Sequence, residues 1–489
     1  MKRKMDESFE NQNKKLCSKS SMEDENMDQS KDSIQDSDDV EMKVMDSISE
    51  KEVSTVNELI KLACSKMKQL DTQLLVKGGE SRTKAVLHRA LRSTITLRPR
   101  LEEKFINLII KNCITDFSNA KEYLLTFFPT AYDDISKFKG FYVSKSVESH
   151  VYIHLLAMLC ILDHLKIVKE TGINQVVITR SVRCADSLVK HSMALNSHIC
   201  GGLIARCLYY QSLVYELVLR VPKLIPFFHE SLRKYTNRAS PECEATVMNI
   251  LLRYYTREQQ YQQAYKLIKK SKFPNDCVNS LTARYLYYKG RVLAVHLEYN
   301  QAYKDLQLAL RKSPQRTAIG FKQHVRRLLI CVELLMGQIP DKSIFRDPEM
   351  ENVLYPYYEL TKAVRVGTLI TFIDILKKYN RVFKKDKLFT MILRLRHNVI
   401  KIGLRRICLV YSRISLHDIA EKLAIGSEED AEYIIAKAIR DGVIIASINP
   451  DDGSVTSKNV LDVYRTNKPA SMFQQRANNC LELEKQCLT

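Results

Sequence analysis

Apolar residues recur at intervals of three and four positions across residues 56–410. Leu101, Phe105, Leu108 and Ile109 form one such stripe. This spacing places apolar side chains on one face of an α-helix, whereas the alternation typical of a strand is nearly absent before residue 443. The pattern therefore predicts an all-α body of many helices joined by short polar turns.

Part of this helical region repeats. The segment ARCLYY at 205–210 recurs 78 residues later as ARYLYY at 283–288, an offset of about two helical-hairpin repeats. After the second copy, Gly290 and Ala302 supply the small residues that two closely crossing helices need, and Pro314 ends the second helix. We therefore predict a TPR-like α-solenoid, whose stacked hairpins expose a long concave surface for other proteins.

The pattern after residue 410 predicts two short helices followed by a small β-hairpin. Ser415 precedes the first helix with Asp418 three positions on, and Ser427 precedes the second in the same way, as is typical of helix N-caps. An apolar strand at 443–448 and a return strand at 454–457 flank a turn rich in Asn, Pro, Asp and Gly. This order of elements predicts a winged helix. The residues predicted to pack it are Ser415, Leu416, Ile419, Ala420, Leu423, Ile434, Ile435 and Ile439.

Winged helices often bind DNA through their second helix, and the charge of that helix argues against DNA binding here. Residues 428–441 carry five acidic side chains against Lys437 and Arg440, so the helix would repel phosphates. We predict a protein-interaction module whose hairpin offers an edge strand to a neighbouring subunit. The candidate edge residues are Val443, Ile444, Ile445, Ile448 and Val455.

The net charge of the 489-residue chain, +20, is the sum of two unlike parts. Residues 1–57 carry 15 acidic and 9 basic side chains among polar residues, which predicts a disordered acidic tail. The excess of positive charge is greatest between Arg365 and Arg413, where 13 Lys and Arg face only Asp374 and Asp386. We interpret this stretch as a solvated helix face or a contact for an acidic protein, with RNA contact as the alternative.

Residues suited to catalysis or metal binding do not assemble in the sequence. The 13 cysteines are scattered singly, which is typical of reduced thiols in the cytoplasm and nucleus. His150 and His154 lie one helical turn apart without a third ligand close by, and Cys200 and His198 are two positions apart and face different directions. No phosphate-binding, metalloprotease or serine-hydrolase motif occurs. We predict no catalytic residue, no metal and no cofactor.

Two further patterns bear on membranes and secretion. The longest apolar run, residues 155–162, is too short to span a membrane. The N-terminus lacks the apolar segment of a secretory leader. Both patterns predict a protein that stays inside the cell.

Helical repeats that run into a winged helix through YSRISLHDIAEKL at 411–423 resemble the PCI domain. PCI subunits occur in the proteasome lid, the COP9 signalosome and a translation-initiation factor. Longer runs within residues 200–480 are most similar to subunits of the proteasome lid. These runs are ARYLYYKG (283–290), GFKQ (320–323), LRLRHNVIK (393–401) and AEYIIAKAIRDGV (431–443).

The resemblance implies a non-catalytic scaffold subunit of the lid, which supports assembly and ubiquitin-dependent protein degradation. It implies other lid PCI subunits as partners, through the winged-helix edge and the C-terminal helices, and so a chain that is not a free monomer. The apolar and charge patterns above argue against a membrane or a nucleic acid as partner. A PCI scaffold of another complex is the alternative. The predicted regions are the acidic tail (1–57), an N-terminal helical region (58–200), the TPR-like repeats (201–345), the PCI module (284–465, with its winged helix at 405–465) and a C-terminal helical tail (466–489).

Overall fold

The computed structural model describes most of the chain after residue 55, and the predicted acidic tail lies almost wholly outside the described residues. The described residues fall into two compact units, one formed from Met1–Gln69 and Glu102–Ser144 and the other from Leu70–Leu101 and Lys145–Thr489. The described residues are 56–73, 80–114, 120–128, 140–144, 146–171, 175–195, 198–218, 221–314, 317–457, 464 and 467–488.

Helices dominate the described residues, as the apolar spacing predicted, and one small sheet accompanies them. The helices before the winged helix are α1 (56–73), α2 (Glu80–Leu97), α3 (Glu103–Cys113), α4 (Ala120–Leu125), α5 (Val147–Thr171), α6 (Gln175–Met193), α7 (Gly201–Leu217), α8 (Ile225–Asn237), α9 (Pro241–Arg257), α10 (Tyr261–Lys270), α11 (Asn279–Val295), α12 (Tyr299–Lys312), α13 (Ile319–Met336), α14 (Glu351–Val366), α15 (Leu369–Lys378), α16 (Asn380–Lys385) and α17 (Phe389–Val410). The later elements are β1 (Arg413–Ser415), α18 (Leu416–Leu423), α19 (Glu428–Arg440), β2 (Ala446–Asn449), β3 (Ser454–Ser457) and α20 (Lys468–Leu488).

In the smaller unit, α3 carries buried apolar side chains. Phe105, Ile106 and Ile109 are buried there. Immediately after this helix, Ile114 forms a parallel β-bridge with Ser144. Ser144 also donates its hydroxyl to the Cys113 carbonyl oxygen, 3.0 Å away.

Helix α5, in the larger unit, is long and rich in apolar residues. By length and composition its stretch Val147–Ile167 could cross a membrane, but 72% of its most apolar part is buried within the protein. Every side chain from Val151 to Leu162 is buried. We therefore describe α5 as a core helix, which needs apolar residues on all sides.

The two histidines that the sequence singled out both lie on α5. His154 is buried, with its Nε2 atom 3.1 Å from the Ser187 hydroxyl and 3.7 Å from the Cys184 thiol. Its ring also meets that of His191 edge-on at 5.7 Å. Burial, together with the charge of the neighbouring His191, lowers the pKa of His154 to about 3. His154 is therefore a neutral core residue.

We expect this buried histidine to make the fold sensitive to acid. The unfolded chain binds a proton on His154 near its ordinary pKa of 6.5, whereas the folded chain does so only near pH 3. Because the unfolded state binds the proton first, stability falls as the pH falls, by about 2 kcal/mol between about pH 7.5 and about pH 5. Chemical denaturation at both pH values measures this, and His154→Phe is the control. A variant with the same pH dependence as the original chain would contradict the assignment.

Helical hairpins of regular length build the middle of the larger unit. Their first helices begin at Gly201, Pro241, Asn279 and Ile319, which are 40, 38 and 40 residues apart. The 78-residue offset seen in the sequence therefore corresponds to two successive hairpins. This arrangement confirms the predicted TPR-like solenoid.

The turns inside successive hairpins share one backbone geometry. Gln259 and Leu297 adopt left-handed conformations, with φ of 61° and 72°. In each turn the amide of the third residue after the helix donates to a carbonyl oxygen five positions earlier. Gln260 donates to Tyr255, and Glu298 donates to Leu293. This pattern is a Schellman-type helix end, which normally uses glycine. Both hairpin turns therefore close their first helix in the same way and without glycine.

The predicted close crossing of α11 and α12 is confirmed. A Cβ atom at Gly290 would lie 2.8 Å from the Leu306 side chain and 3.4 Å from the Ala302 carbonyl oxygen. Only a residue without a side chain lets the two helices approach so closely.

One apolar core continues from the solenoid into the winged helix. It extends from Leu286 on α11 to Val455 on β3. At its centre the end of α14 touches α17, because a Cβ atom at Gly403 would lie 2.6 Å from the Gly367 carbonyl oxygen and 2.8 Å from the Leu423 side chain. The glycine at 403 thus lets helical body and winged helix pack together.

We expect Gly403→Ala to lower the free energy of unfolding by about 1–3 kcal/mol, because backbone atoms must move to admit the new methyl group. Gly320→Ala is the matched control, since nothing lies within 4 Å of the added atom. That change removes a helix-destabilising glycine and is expected to be neutral or stabilising by up to about 1 kcal/mol. Thermal unfolding of both variants tests this, and equal midpoints would contradict it.

Candidate protein-interaction surfaces

Local hydrogen bonds start both helices of the winged helix where the sequence indicated. The Ser415 hydroxyl accepts the Asp418 amide at 3.1 Å, and the Ser427 hydroxyl accepts the Asp430 amide at 3.1 Å. Each bond satisfies an amide that the first turn of a helix leaves without a partner. The first helix ends one turn before Gly426, because Ala424 adopts the left-handed conformation that closes it.

Most of the predicted packing residues lie inside the winged helix. Five are buried, while Ile434 and Ile439 are half-buried at the margin of the core, and half-buried Ser415 acts as the cap. The buried ones are Leu416, Ile419, Ala420, Leu423 and Ile435.

The sheet differs from the predicted hairpin in two respects. The apolar strand begins at Ala446 rather than at residue 443, and Ile444 is buried just before it. A third strand, β1, pairs with β3, so the order is β1–β3–β2. The prediction of Val455 as an edge residue is therefore wrong, because Ile414 and Ile448 pair with it from either side.

Strand β2, rather than β3, is therefore the candidate edge strand for a contact with another subunit. Within the described residues, β2 has a partner on one side only. Ile445, just before β2, is 49% exposed. Within the strand, Ile448 is half-buried and Asn449 is exposed. Open main-chain groups on an edge strand can pair with a strand of another chain.

The basic surface, defined here as the Lys and Arg residues between Arg365 and Arg413, is almost entirely exposed. Twelve of its thirteen side chains are exposed, and Lys401 is half-buried. The apolar residues Leu388, Ile392 and Leu395 are buried beneath it. On α15, Phe372 is buried in the core and the neighbouring Ile373 is exposed.

Helix α20 offers an uncovered apolar surface. Every side chain from Ser471 to Cys487 is exposed. Four large apolar residues are among them: Met472, Phe473, Leu481 and Leu483. Exposed apolar side chains on a helix are typical of contacts with another protein.

In the described part of the chain, the cysteine and histidine candidates do not form a reactive site. Burial, together with the nearby Glu148 carboxylate, raises the pKa of the Cys200 thiol to about 12. A thiol with so high a pKa is a poor nucleophile. Among the described residues, no group of three or more His, Cys, Asp and Glu side chains is placed to hold a metal ion.

Two family models match the chain. One, described as PSMD3-like N-terminal TPR repeats, matches residues 53–361, and the other, the PCI domain, matches residues 376–459. A probable 26S proteasome non-ATPase regulatory subunit 3 of Drosophila melanogaster is 38% identical over 84% of this chain and 82% of its own length. The chain belongs to the family of 26S proteasome non-ATPase regulatory subunit 3.

Other members of the subunit 3 family are similar over different shares of their length. The Dictyostelium discoideum member is 34% identical over 89% of this chain and 87% of its own length. The Anopheles stephensi member is 43% identical over 69% of this chain, and the match spans 66% of that protein.

The PCI match of this subunit 3 family member begins within the basic surface and ends just after β3. Two features of this region escaped sequence reasoning. One is β1, which has only three residues. The other is the pair Leu409 and Val410 at the end of α17, which are 72% and 74% exposed. The apolar spacing continues to the end of α17, so the sequence did not indicate that the apolar side chains of its last turn are exposed.

Proposed function

We propose that this chain is a non-catalytic scaffold subunit of the proteasome regulatory particle lid. In this role it supports assembly of the lid, and through it ubiquitin-dependent protein degradation in the cytoplasm and nucleus. The observation that carries the proposal is a winged helix with an open sheet edge, followed by a helix with exposed apolar side chains. The names of the relatives, which call them non-ATPase regulatory subunits of the 26S proteasome, support the same role.

The edge of β2 is proposed as the contact with the winged helix of a neighbouring PCI subunit. A strand from that subunit would pair with β2 and extend the sheet. The acidic exposed face of α19, with Glu428, Glu429 and Glu432, favours a protein over a nucleic acid as the neighbour.

Helix α20 is proposed as the second anchor, joining a bundle with helices of other lid subunits. Burying the Phe473 ring against other helices would remove a large apolar surface from water, and aromatic residues often dominate the energy of interfaces. The basic surface is proposed to face acidic protein partners in the same assembly.

Affinity purification of the tagged full chain, with identification of its partners, tests the proposal. We expect lid subunits to copurify, and Phe473→Asp to weaken this recovery about tenfold, which corresponds to the loss of a strong interface contact. Gln475→Asp adds the same charge to another exposed position of α20 and should have little effect.

Other results of this purification would overturn the proposal. A chain that sediments alone, or that recovers signalosome subunits or initiation factors without proteasome subunits, belongs to another assembly or to none. RNA binding at physiological salt, lost steeply as salt is raised, would assign the basic surface to nucleic acid.

A further inference from the structure

A cavity of about 510 Å³ opens among α7, α9, α11, α13 and the turn after α16. Six basic side chains line it against only two carboxylates, Glu216 and Asp386. The basic residues are Arg253, Arg257, Arg284, Arg291, Lys385 and Lys387. They come from parts of the chain far apart in sequence, so the fold alone brings them together.

Both carboxylates are already bound by other groups. Glu216 accepts hydrogen bonds from Arg253, at 3.0 Å, and from Arg257. Asp386 pairs with Arg327 and accepts the Tyr357 hydroxyl at 2.8 Å, and neither of these partners lines the cavity. The cavity therefore keeps an excess of positive charge.

Aromatic side chains hold two of the arginines in place. The Arg284 guanidinium lies 5.6 Å from the centre of the Tyr209 ring, a cation–π contact. The Nη1 atom of Arg291 donates to the Tyr287 hydroxyl at 3.3 Å. The buried Nη2 atom of Arg291 has no hydrogen-bond partner among the described residues. A buried donor without a partner is unfavourable, and an anion in the cavity would satisfy it.

The cations also act on one another. Burial lowers the pKa of Lys387, and Arg291 and Arg257 lower it further, while Glu258 opposes them. Burial likewise lowers the pKa of His324 at the same cavity, together with Arg327 and Arg291. Such shifts show that the cations lie close enough to repel one another, and a multivalent anion between them would relieve this repulsion.

We propose that this cavity binds a small polyphosphate ester, with Arg284, Arg291 and Lys385 as its principal ligands. A guanidinium donates two parallel hydrogen bonds to a phosphate, and several such groups around one cavity match several phosphates on one compact molecule. The volume is that of an ordinary small-molecule site. This inference concerns a ligand and does not depend on the proposed scaffold role.

Titration calorimetry of the full chain at physiological salt tests this, with inorganic tripolyphosphate and inositol hexakisphosphate as probes. We expect saturable one-to-one binding that Arg291→Gln and Arg284→Gln each weaken at least about tenfold. Arg291→Lys keeps the charge without the planar fork and should recover only part of the affinity. Arg238→Gln, which removes an exposed charge outside the cavity, should leave the affinity unchanged. Arg284 is exposed, so its variant keeps the test valid if Arg291→Gln fails to fold.

Four results would overturn the inference. The first is that neither probe binds, and the second is that Arg238→Gln weakens the affinity as much as the cavity variants do. The third is binding only to vesicles that contain a bisphosphorylated phosphatidylinositol. The fourth is tighter binding of a polyglutamate peptide, with the same dependence on Arg284 and Arg291. The third result would assign the site to a lipid surface and the fourth to an acidic protein segment.

Discussion

We expect Ile419→Asp to unfold the winged helix and to abolish recovery of partner subunits. Ile419 is fully buried on α18 and belongs to the core that continues into the helical body. A carboxylate at this position would be shielded from water. Burying an unpaired charge costs several kcal/mol, which is a large share of the stability of a domain. Circular dichroism, thermal unfolding and copurification measure the result, and Leu423→Asp is expected to behave in the same way.

Two controls separate burial of charge from other effects of this substitution. Ile419→Val removes one methylene and should cost about 1 kcal/mol. Ala436→Asp places the same new carboxylate on the exposed face of α19 and should change stability by less than about 0.5 kcal/mol. An Ile419→Asp protein that unfolds like the original chain and still recovers its partners would show that the winged helix does not hold the subunit in place.

The sequence predicted those parts of the fold that depend on neighbouring residues. The caps at Ser415 and Ser427 join a side chain to an amide three residues later, so their signal is local. The small residues Gly290 and Ala302 likewise predict a close crossing of two helices within one hairpin. The hairpin period was visible only through one repeated segment, because the left-handed turns at Gln259 and Leu297 lack the glycine that usually marks them.

Features that join distant residues could not be predicted in this way. Strand β1 is short and exists because Ile414 pairs with Val455, 41 positions away, and this pairing turns the predicted edge strand into the central one. The cavity arises similarly, since Arg253 and Lys387 meet only after several hairpins have stacked. A spacing rule cannot find such sets, because no periodicity links their members.

The second large effect is expected from Asp386→Ala, which should lower the free energy of unfolding by about 3–5 kcal/mol. Asp386 pairs with Arg327, and their side chains are only 7% and 16% exposed. It also accepts the hydroxyl of Tyr357, and burial raises the pKa of that tyrosine, so the hydroxyl stays a donor. Removing the carboxylate leaves a buried guanidinium and a buried hydroxyl without their acceptor. Urea denaturation measures the loss.

The large loss of stability expected from Asp386→Ala comes from the buried groups of Arg327 and Tyr357 that lose their acceptor, rather than from the strength of the ion pair itself. Tyr357→Phe removes one donor and should cost only about 1 kcal/mol. The double variant Asp386→Leu with Arg327→Met removes both charges and should recover most of the stability that Asp386→Ala loses, because apolar side chains can replace a buried ion pair. If the double variant were less stable than Asp386→Ala, the pair itself would be the source of stability. The turn after α16 would then depend on electrostatic attraction rather than on avoiding an unpaired charge.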